Sequence, residues 1–484
     1  MRILLKTLIT AAVLSAGLTL SAQDQSETGP AIDMADFDDA LWWKQFGDPL
    51  LDSLIAKGVE KNYDVVMAAK RINIAKNSLM QARSGYYPSL GVSLGWDKER
   101  LSGNTGSARS AATNMSYLNA GVSLNWEIDL FGRITAKANE SKAQIKVSRA
   151  EYAATMVSLQ AQIATTYFDL RVYQAQLEIA KAHAESQLSV VKITEARHET
   201  GLASQLDVAQ AKTVYFSTLA SIPQIENNIG TAISSIAVLL GEMPDALNDA
   251  LTPVRPLPDC RKLTAFNIPM SAIERRPDVV EAKMNIEAMA AALGVAKKEY
   301  LPMLELSGSI GTEAHRAGDL FRKNSLTYSV VPTLSWTIFD GLSRRADVLT
   351  AKENMEIQID NYNNTLINAL NDAQNAMGNY FTELQYMGYI SEVVNYAMQA
   401  EELSLDLYKR GLGTFTNVDD SQITLLSYEL EEVQAHGTAL TYLVTLYKAL
   451  GGGLAVPVEQ ADSADNTADE TITPINRADD TPDR

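Results

Sequence analysis

The sequence predicts an α+β membrane protein built from two similar halves, each of which joins a pair of short strands to very long helices. The first observation is an internal repeat, because a set of residues recurs at one constant offset. The set is Trp126, Ile128, Gly201, Leu240 and Gly241 in the first half and Trp336, Ile338, Gly411, Leu450 and Gly451 in the second. The second is a strictly alternating pattern in four segments. The third is a run of ~67 residues without proline or glycine, far longer than an ordinary globular helix.

Residues 1–22 are predicted to be a secretory signal peptide. Arg2 and Lys6 precede an apolar stretch of ~13 residues, and Ser21-Ala22 forms a small-residue cleavage site. This stretch is too short to span a bilayer as a helix. We therefore expect an exported chain. Because the residue directly after the cleavage site is not a cysteine, we expect no lipid anchor by the usual route.

Composition excludes several classes of protein. The net charge of −18 argues against nucleic acid as a partner, because that binding depends on Lys and Arg neutralising phosphates. The single cysteine, Cys260, offers no internal disulfide. After the signal peptide no window reaches ~18 consecutive apolar residues, so any membrane crossing must use strands.

The chain divides into segments that follow a regular order. They are an extended lead-in at 23–49, a first half at 50–241, a proline-rich linker at 242–276, a second half at 277–453 and an acidic tail at 454–484. We expect the Trp42-Trp43 pair of the lead-in to pack on the body of the protein. The first half should open with one helix over residues 50–85. The tail has almost no large apolar residues and is expected to be disordered.

The four alternating segments are predicted strands at about 89–97, 116–128, 303–311 and 326–338. Alternation alone would also suit the buried face of a soluble sandwich. Strand lengths of ~9 to 12 residues, polar connecting loops and aromatic residues at the strand ends favour transmembrane barrel strands instead. The candidate membrane-interface aromatics are Tyr86, Tyr87, Trp126, Tyr300, Trp336 and Phe339.

Four strands cannot close a barrel that spans a bilayer. An open edge in lipid would leave backbone groups unpaired at a cost of several kcal/mol each. The chain must therefore form an oligomer. Closure begins at about eight strands, so either a dimer or a trimer satisfies this requirement.

The long helices are predicted from a heptad pattern of apolar and small residues. In the first half the pattern comprises Met156, Leu159, Ile163, Thr166, Leu170, Tyr173, Leu177, Ala180 and Ala184. A helix over 133–200 would be ~100 Å long, and the helices at 50–85 and 206–240 would match it if stacked end to end. An ordinary coiled coil would give the same pattern. It would not explain why each long helix follows a membrane-type strand.

Several motifs resemble those of the outer-membrane factors of efflux and secretion systems, the TolC-like and NodT-like proteins. They begin at Trp126 (WEIDLFGR), Arg275 (RRPD), Gly294 (GVAKKEYLP), Trp336 (WTIFDG), Tyr408 (YKRG) and Ala449 (ALGGG). The resemblance implies a homotrimer with a twelve-stranded β-barrel in outer-membrane lipid, four strands coming from each chain. It further implies an α-helical coiled-coil tunnel that extends into the periplasm.

No catalytic or metal-binding constellation is evident in the sequence. The four histidines are His183, His198, His315 and His436, and none has a second ligand at a metal-binding spacing. We expect them to be solvated. The Gly451-Gly452-Gly453 run lacks the strand and lysine of a phosphate loop and is interpreted as a helix stop. We expect neither enzyme activity nor a cofactor.

The sequence instead suggests a gate at the turns that follow the long helices. Symmetric repetition of Asp207, Asp419 and Asp420 would place carboxylates in rings, which favour cations in a pore. These aspartates could equally be helix caps in water. The resemblance implies that Asp207 and Tyr408 link neighbouring hairpins and that Thr416 and Asp420 line the aperture.

Two positions depart from the gate of this family. Gly413 and Ile423 stand where some relatives have arginine, so the closed state is expected to depend more on Tyr408, Phe415 and packing. On this basis Asp207→Ala or Tyr408→Phe should raise conductance.

The resemblance implies an exit duct that works with a periplasmic adaptor and an inner-membrane pump and expels small toxic compounds or drugs. Type I protein secretion and the export of metals or signal molecules are alternatives within the same fold. A coiled-coil scaffold or adhesin without a pore is a different class. It would require no membrane-type strands.

Overall fold

The computed structural model describes residues 39–101, 113–260 and 270–452. All of them belong to the larger of two units into which the chain divides. The predicted signal peptide, most of the lead-in, part of the linker and the acidic tail lie outside the described residues. In the described part, helices predominate and four strands form one sheet.

Four of the helices account for most of the helical residues. The helices are α1 (Pro49–Lys61), α2 (Tyr63–Ser84), α3 (Arg133–Glu199), α4 (Gln205–Leu239), α5 (Asn248–Leu251), α6 (Met270–Glu274), α7 (Pro277–Lys298), α8 (Ser343–Arg410) and α9 (Phe415–Ala449). Helices α3 and α8 contain 67 and 68 residues, and α4 and α9 contain 35 each. The two long helices are therefore about 100 Å in length. Among the described residues, no helix is both long enough and apolar enough to cross a membrane.

The prediction of one helix over residues 50–85 is wrong, because the helix is interrupted at Asn62. The Asn62 side chain accepts hydrogen bonds from the backbone N–H groups of Asp64 and Val65 and so caps α2. Its Nδ2 donates to the carbonyl of Leu239 at the end of α4. The break therefore anchors the start of α2 to the end of the returning helix.

Four glycines end the long and returning helices in the same way. Gly201, Gly241, Gly411 and Gly451 have φ between 70° and 78°, a left-handed conformation that costs glycine little. At each end the N–H of the next residue reaches back to a carbonyl five positions earlier, as in Leu202 to Arg197 and Leu412 to Leu407. The constant spacing of these glycines thus reflects matched helix ends.

The strands form an antiparallel sheet in the order β1-β2-β3-β4, where β1 is Ser89–Leu101, β2 is Thr113–Ile128, β3 is Met303–Ala314 and β4 is Leu326–Ser335. The central register pairs Val122 of β2 with Ile310 of β3. Strands β1 and β4 are the two edges of the sheet. Their outer edges have no strand partner within the described residues of the chain.

Four strand boundaries differ from the prediction. Strand β2 begins at Thr113 and not near residue 116, β3 ends at Ala314 and not near residue 311, and the ends of β1 and β4 also differ. Strand β1 continues to Leu101, past predicted residue 97, because β2 begins at Thr113 and pairs with it along its whole length. Strand β4 ends at Ser335 and not near residue 338. Ser335 pairs with Met303, the first residue of β3, so no strand partner extends beyond this point. Trp336 and Ile338 therefore lie outside the strand.

The edge strands are apolar and exposed. On β1 the side chains of Leu90, Val92 and Leu94 are between 71% and 86% exposed, and every residue of β4 is exposed. The helices do not cover these side chains. The apolar surface of the sheet is thus free to contact lipid or another chain.

The helical core forms around α3, which packs against α1, α2, α4, α7 and α9. Tyr167, Phe168 and Ile163 on this helix are fully buried. Of the nine residues in the predicted heptad pattern, Leu159, Ile163, Leu170, Leu177, Ala180 and Ala184 are buried, and Met156, Thr166 and Tyr173 are partly buried.

The sequence had suggested that the lead-in is extended, but the end of this segment is helical. Residues Asp39–Phe46 form a 3₁₀ helix, and Trp42 within it is only 1% exposed. The indole of Trp42 stacks on the ring of Tyr447, with 5.3 Å between centroids. Burial of two large indoles explains why this polar segment becomes ordered against the helices.

Candidate functional site

The candidate gate lies where the two helical hairpins, α3–α4 and α8–α9, reverse direction. Asp207 and Ser204 form a capping box at the start of α4. The Ser204 hydroxyl accepts from the N–H of Asp207, and the Asp207 carboxylate accepts from the N–H of Ser204. The carboxylate of Asp207 is therefore engaged in capping its own helix.

Within one chain, Asp207 and Tyr408 form no hydrogen bond with each other. The Tyr408 hydroxyl is buried and has no hydrogen-bond partner among the described residues. The link between neighbouring hairpins that the resemblance implies for these two residues stays a prediction.

The Tyr408 ring, by contrast, lies at the centre of an apolar cluster that joins the two hairpins. We call this set the tip cluster; its buried members are Val190, Val191, Ala211, Tyr408, Phe415 and Val418. The rings of Tyr408 and Phe415 meet edge to face at a centroid distance of 5.6 Å. All four helices of the two hairpins contribute to the cluster.

Arg197 is a further residue of the tip, and the sequence analysis missed it. Its guanidinium lies 4.8 Å from the centroid of the Tyr408 ring, and its Nη1 donates to the carbonyl of Lys409 at 3.2 Å. The cation therefore joins the first hairpin to the second. Its position one turn before Gly201 was the only signal in the sequence, and this signal is weak because basic residues are common in the last turn of a helix.

Thr416, Asp419 and Asp420 follow on the first turns of α9. Thr416 and Asp420 are exposed, whereas Asp419 is partly buried. One carboxylate oxygen of Asp419 is buried without a partner in the described part of the chain. This burial, together with the nearby Asp420, raises the pKa of Asp419.

The candidate interface aromatics all lie at the end of the sheet that adjoins the helices. The indole Nε1 of Trp126 donates to the carbonyl of Tyr86, and Trp336 donates to Tyr300, each at 3.0 Å. Both bonds tie a strand end to the end of the preceding helix. Tyr87 and Phe339 are more than two-thirds exposed.

The sequence analysis did not identify aromatic residues farther from the helices. Trp96, Tyr328 and Phe321 are between 65% and 86% exposed. Trp96 lies within β1, Tyr328 within β4 and Phe321 in the loop between β3 and β4. Trp96 and Tyr328 fall within predicted strands, but only the pairing of the strands shows that they lie away from the helical end of the sheet.

We expected the four histidines to be solvated, but each of them contacts another group of the protein. His183 contacts Glu429, and His198, His315 and His436 each lie within hydrogen-bond distance of a backbone carbonyl. No group of three or more His, Cys, Asp and Glu side chains suited to a metal ion occurs in residues 39–101, 113–260 and 270–452.

A short sheet with apolar surfaces, continued by two helical hairpins, is the fold of an outer-membrane channel. The solved outer-membrane channel OprN has this fold, with a TM-score of 0.80 and 28% identity; the match covers 90% of this chain and 98% of OprN. VceC from Vibrio cholerae shares the fold at a TM-score of 0.76 and 23% identity over 86% of this chain and all of VceC.

The sequence profile of the outer membrane efflux protein family matches residues 54–242 and 268–452, so the chain belongs to this family. Similar proteins include the pyoverdine export outer membrane protein OpmQ of Pseudomonas aeruginosa, 28% identical over 92% of this chain and 93% of OpmQ. Nodulation protein T of Rhizobium leguminosarum bv. trifolii is 26% identical over 85% of this chain and 87% of that protein. The predicted resemblance and the outer-membrane localisation, extending into the periplasm, are confirmed.

Proposed function

We propose that three copies of the chain form the exit duct of a tripartite efflux system. In this assembly a twelve-stranded barrel crosses the outer membrane, and the helices continue it as a tunnel in the periplasm. The observation that carries the proposal is the pair of open, apolar edges at β1 and β4. Pairing β1 of one copy with β4 of the next would satisfy both edges and close the barrel.

The matched halves of the chain support the tunnel. Helices α3 and α8 have nearly equal lengths, and their hairpins end in turns of the same geometry. Three copies would supply six such hairpins around one axis. We interpret the two halves as an internal repeat whose units are 50–241 and 277–453, joined by the linker 242–276.

The gate in this proposal lies at the ends of the hairpins. The tip cluster and the contact between Arg197 and Tyr408 hold the two hairpins of one copy together. Asp207, Asp419, Asp420 and Thr416 lie around these turns, where threefold symmetry would arrange their carboxylates as rings. Tyr408 and Phe415 would act through packing.

The proposed cargo is a set of small toxic compounds or drugs, delivered by an inner-membrane pump through a periplasmic adaptor. The export of secreted small molecules is a second candidate, because one relative is named for pyoverdine export and another for nodulation. Type I protein secretion and metal export would use the same duct. The sequence of a passive tunnel indicates little about which cargo it conducts. Identification of the copurifying pump would therefore decide between these functions.

The test is reconstitution of the purified protein in planar bilayers, with its mass measured in detergent. We expect a trimer whose reconstitution gives discrete conductance steps. A heat-denatured sample is the control and should give none. A monomer that remains in solution without detergent and forms no pore would refute the proposal.

A further inference from the structure

A row of α3 side chains runs along the contact between the two hairpins. The row consists of Gln176, His183, Val190 and Arg197, which are seven positions apart and therefore share one face of the helix. Each of them contacts the second hairpin. Gln176 donates to Gln434 at 3.4 Å. Val190 is a member of the tip cluster, and Arg197 lies over the Tyr408 ring of that cluster.

His183 is the member of this row that forms an ionisable pair. Its Nε2 lies 2.6 Å from Oε2 of Glu429 on α9, and the two side chains are only 12% and 21% exposed. The pair lies about 24 Å from the end of α3, counted along the helix. Any separation of the hairpin ends must therefore strain or break this contact.

The other charged groups near His183 have partners of their own. Lys181 of α3 lies 3.8 Å from Glu226 of α4, which joins the two helices of the first hairpin. Glu431 of α9 accepts a hydrogen bond from Tyr386 of α8, within the second hairpin. Glu185 of α3 is exposed. The pair between His183 and Glu429 thus connects the hairpins, whereas its charged neighbours stabilise each hairpin separately.

We infer that His183 is a positioning residue that holds the two hairpins together in the closed duct. This inference rests on the proposed duct and gate. The inference is carried by the 2.6 Å contact between the hairpins and by the burial of both side chains.

The test compares the trimer with its His183→Gln, Glu429→Gln and double variants in planar bilayers. We expect each single variant to raise the closed-state conductance about three- to tenfold, as for the loss of one typical intramolecular hydrogen bond. The double variant should add little.

Lys181→Gln is the matched control, because it removes an ion pair within one hairpin; it should behave as the unmodified protein does. Single variants with unchanged closed-state conductance would overturn the inference. A variant that fails to form trimers would be replaced by one that also carries Gln176→Cys and Gln434→Cys, joined by a short bifunctional thiol reagent, because the glutamines meet only at the ends of their side chains. This bridge would link the same row and should restore low conductance if the inference is correct. Absence of any conductance in the unmodified protein would refute the duct itself.

Discussion

At the scale of residues, packing around the Tyr408 ring holds the hairpin ends together, beside the hydrogen bond from Arg197 to the Lys409 carbonyl. Tyr408 is 3% exposed, and its ring contacts Phe415 and Arg197. Its hydroxyl is one of the buried polar groups without a partner in the described chain. Removing an unsatisfied buried hydroxyl is close to neutral, whereas removing the ring leaves a cavity.

We therefore expect Tyr408→Phe to leave the closed-state conductance unchanged and Tyr408→Ala to raise it. The alanine substitution loses the aromatic contact and the cation–π contact and should cost about 3–5 kcal/mol in packing at the tip. Bilayer conductance of the two variants checks this. A leak in Tyr408→Phe as large as that in Tyr408→Ala would show that the hydroxyl has a partner in the assembled duct.

The second expectation at this scale concerns the pH dependence of Asp419. Burial raises the pKa of this carboxyl above its ordinary value of 3.8, and Asp420 raises it further. The ionised form is therefore disfavoured in the packed state. Closure is most stable when Asp419 is protonated and loses stability as the pH rises through the raised pKa.

Closed-state conductance should accordingly increase with pH in the range above 3.8, and Asp419→Asn should flatten this part of the profile. Asp420→Asn should have a smaller effect, because burial is the larger cause of the shift. A profile that Asp419→Asn leaves unchanged would contradict this account.

At the scale of elements, the two halves use different residues for the same joint. Asn62 links the start of α2 to the Leu239 carbonyl at the end of α4. In the second half, Arg276 donates to the Ala449 carbonyl at the end of α9 and pairs with Asp278 and Asp372. The guanidinium of Arg276 thus takes the position that the side-chain amide of Asn62 has in the first half.

Arg276→Ala should lower the thermal stability of the trimer more than Lys61→Ala. The Arg276 side chain is 11% exposed, and removing one partner of a fully buried pair costs about 3–5 kcal/mol. The exposure of the two aspartates should reduce this cost. Lys61 pairs with Glu242 at the exposed surface of the other joint, where a pair contributes about 0–1 kcal/mol. Equal losses measured by thermal unfolding would contradict the assignment.

The long helices could be predicted from sequence because their signals are local. The length of α3 follows from the absence of proline and glycine, whereas α8 continues through Gly378 and Gly388. The ends of both helices follow from Gly201 and Gly411. The break at Asn62 could not be predicted in this way, because it depends on Leu239, which is distant in the chain. The end of β4 at Ser335 likewise depends on its pairing with Met303 of β3 and not on a local signal.

The candidate site was predictable only in part for the same reason. The three aspartates were found because they adjoin recognisable turns, whereas the role of Tyr408 came from the family resemblance. Arg197 and the pair between His183 and Glu429 depend on contacts between α3 and the second hairpin. Such contacts between distant segments leave no periodic signal in the sequence.

At the scale of the whole molecule, the sheet is the part that the single chain leaves incomplete. Strands β1 and β4 are its edges, and exposed apolar edges are normally covered or paired. Pairing between copies accounts for both the exposure of these strands and the need for a closed structure in lipid. The proposed trimer, duct and gate all depend on this pairing.

Disulfide cross-linking between the two edge strands tests this pairing most directly. Ser93→Cys on β1 would be combined with Ser329→Cys, Thr333→Cys or Ser335→Cys on β4, which samples several registers. Within one chain the two edges are three strand spacings apart, about 14 Å, too far for a disulfide. Single-cysteine variants are the controls.

We predict that at least one pair yields covalent dimers and trimers under oxidising conditions, while the single variants yield neither. Monomers for every pair, obtained from protein that inserts into membranes and conducts, would contradict the claim that the edges of neighbouring copies close the barrel.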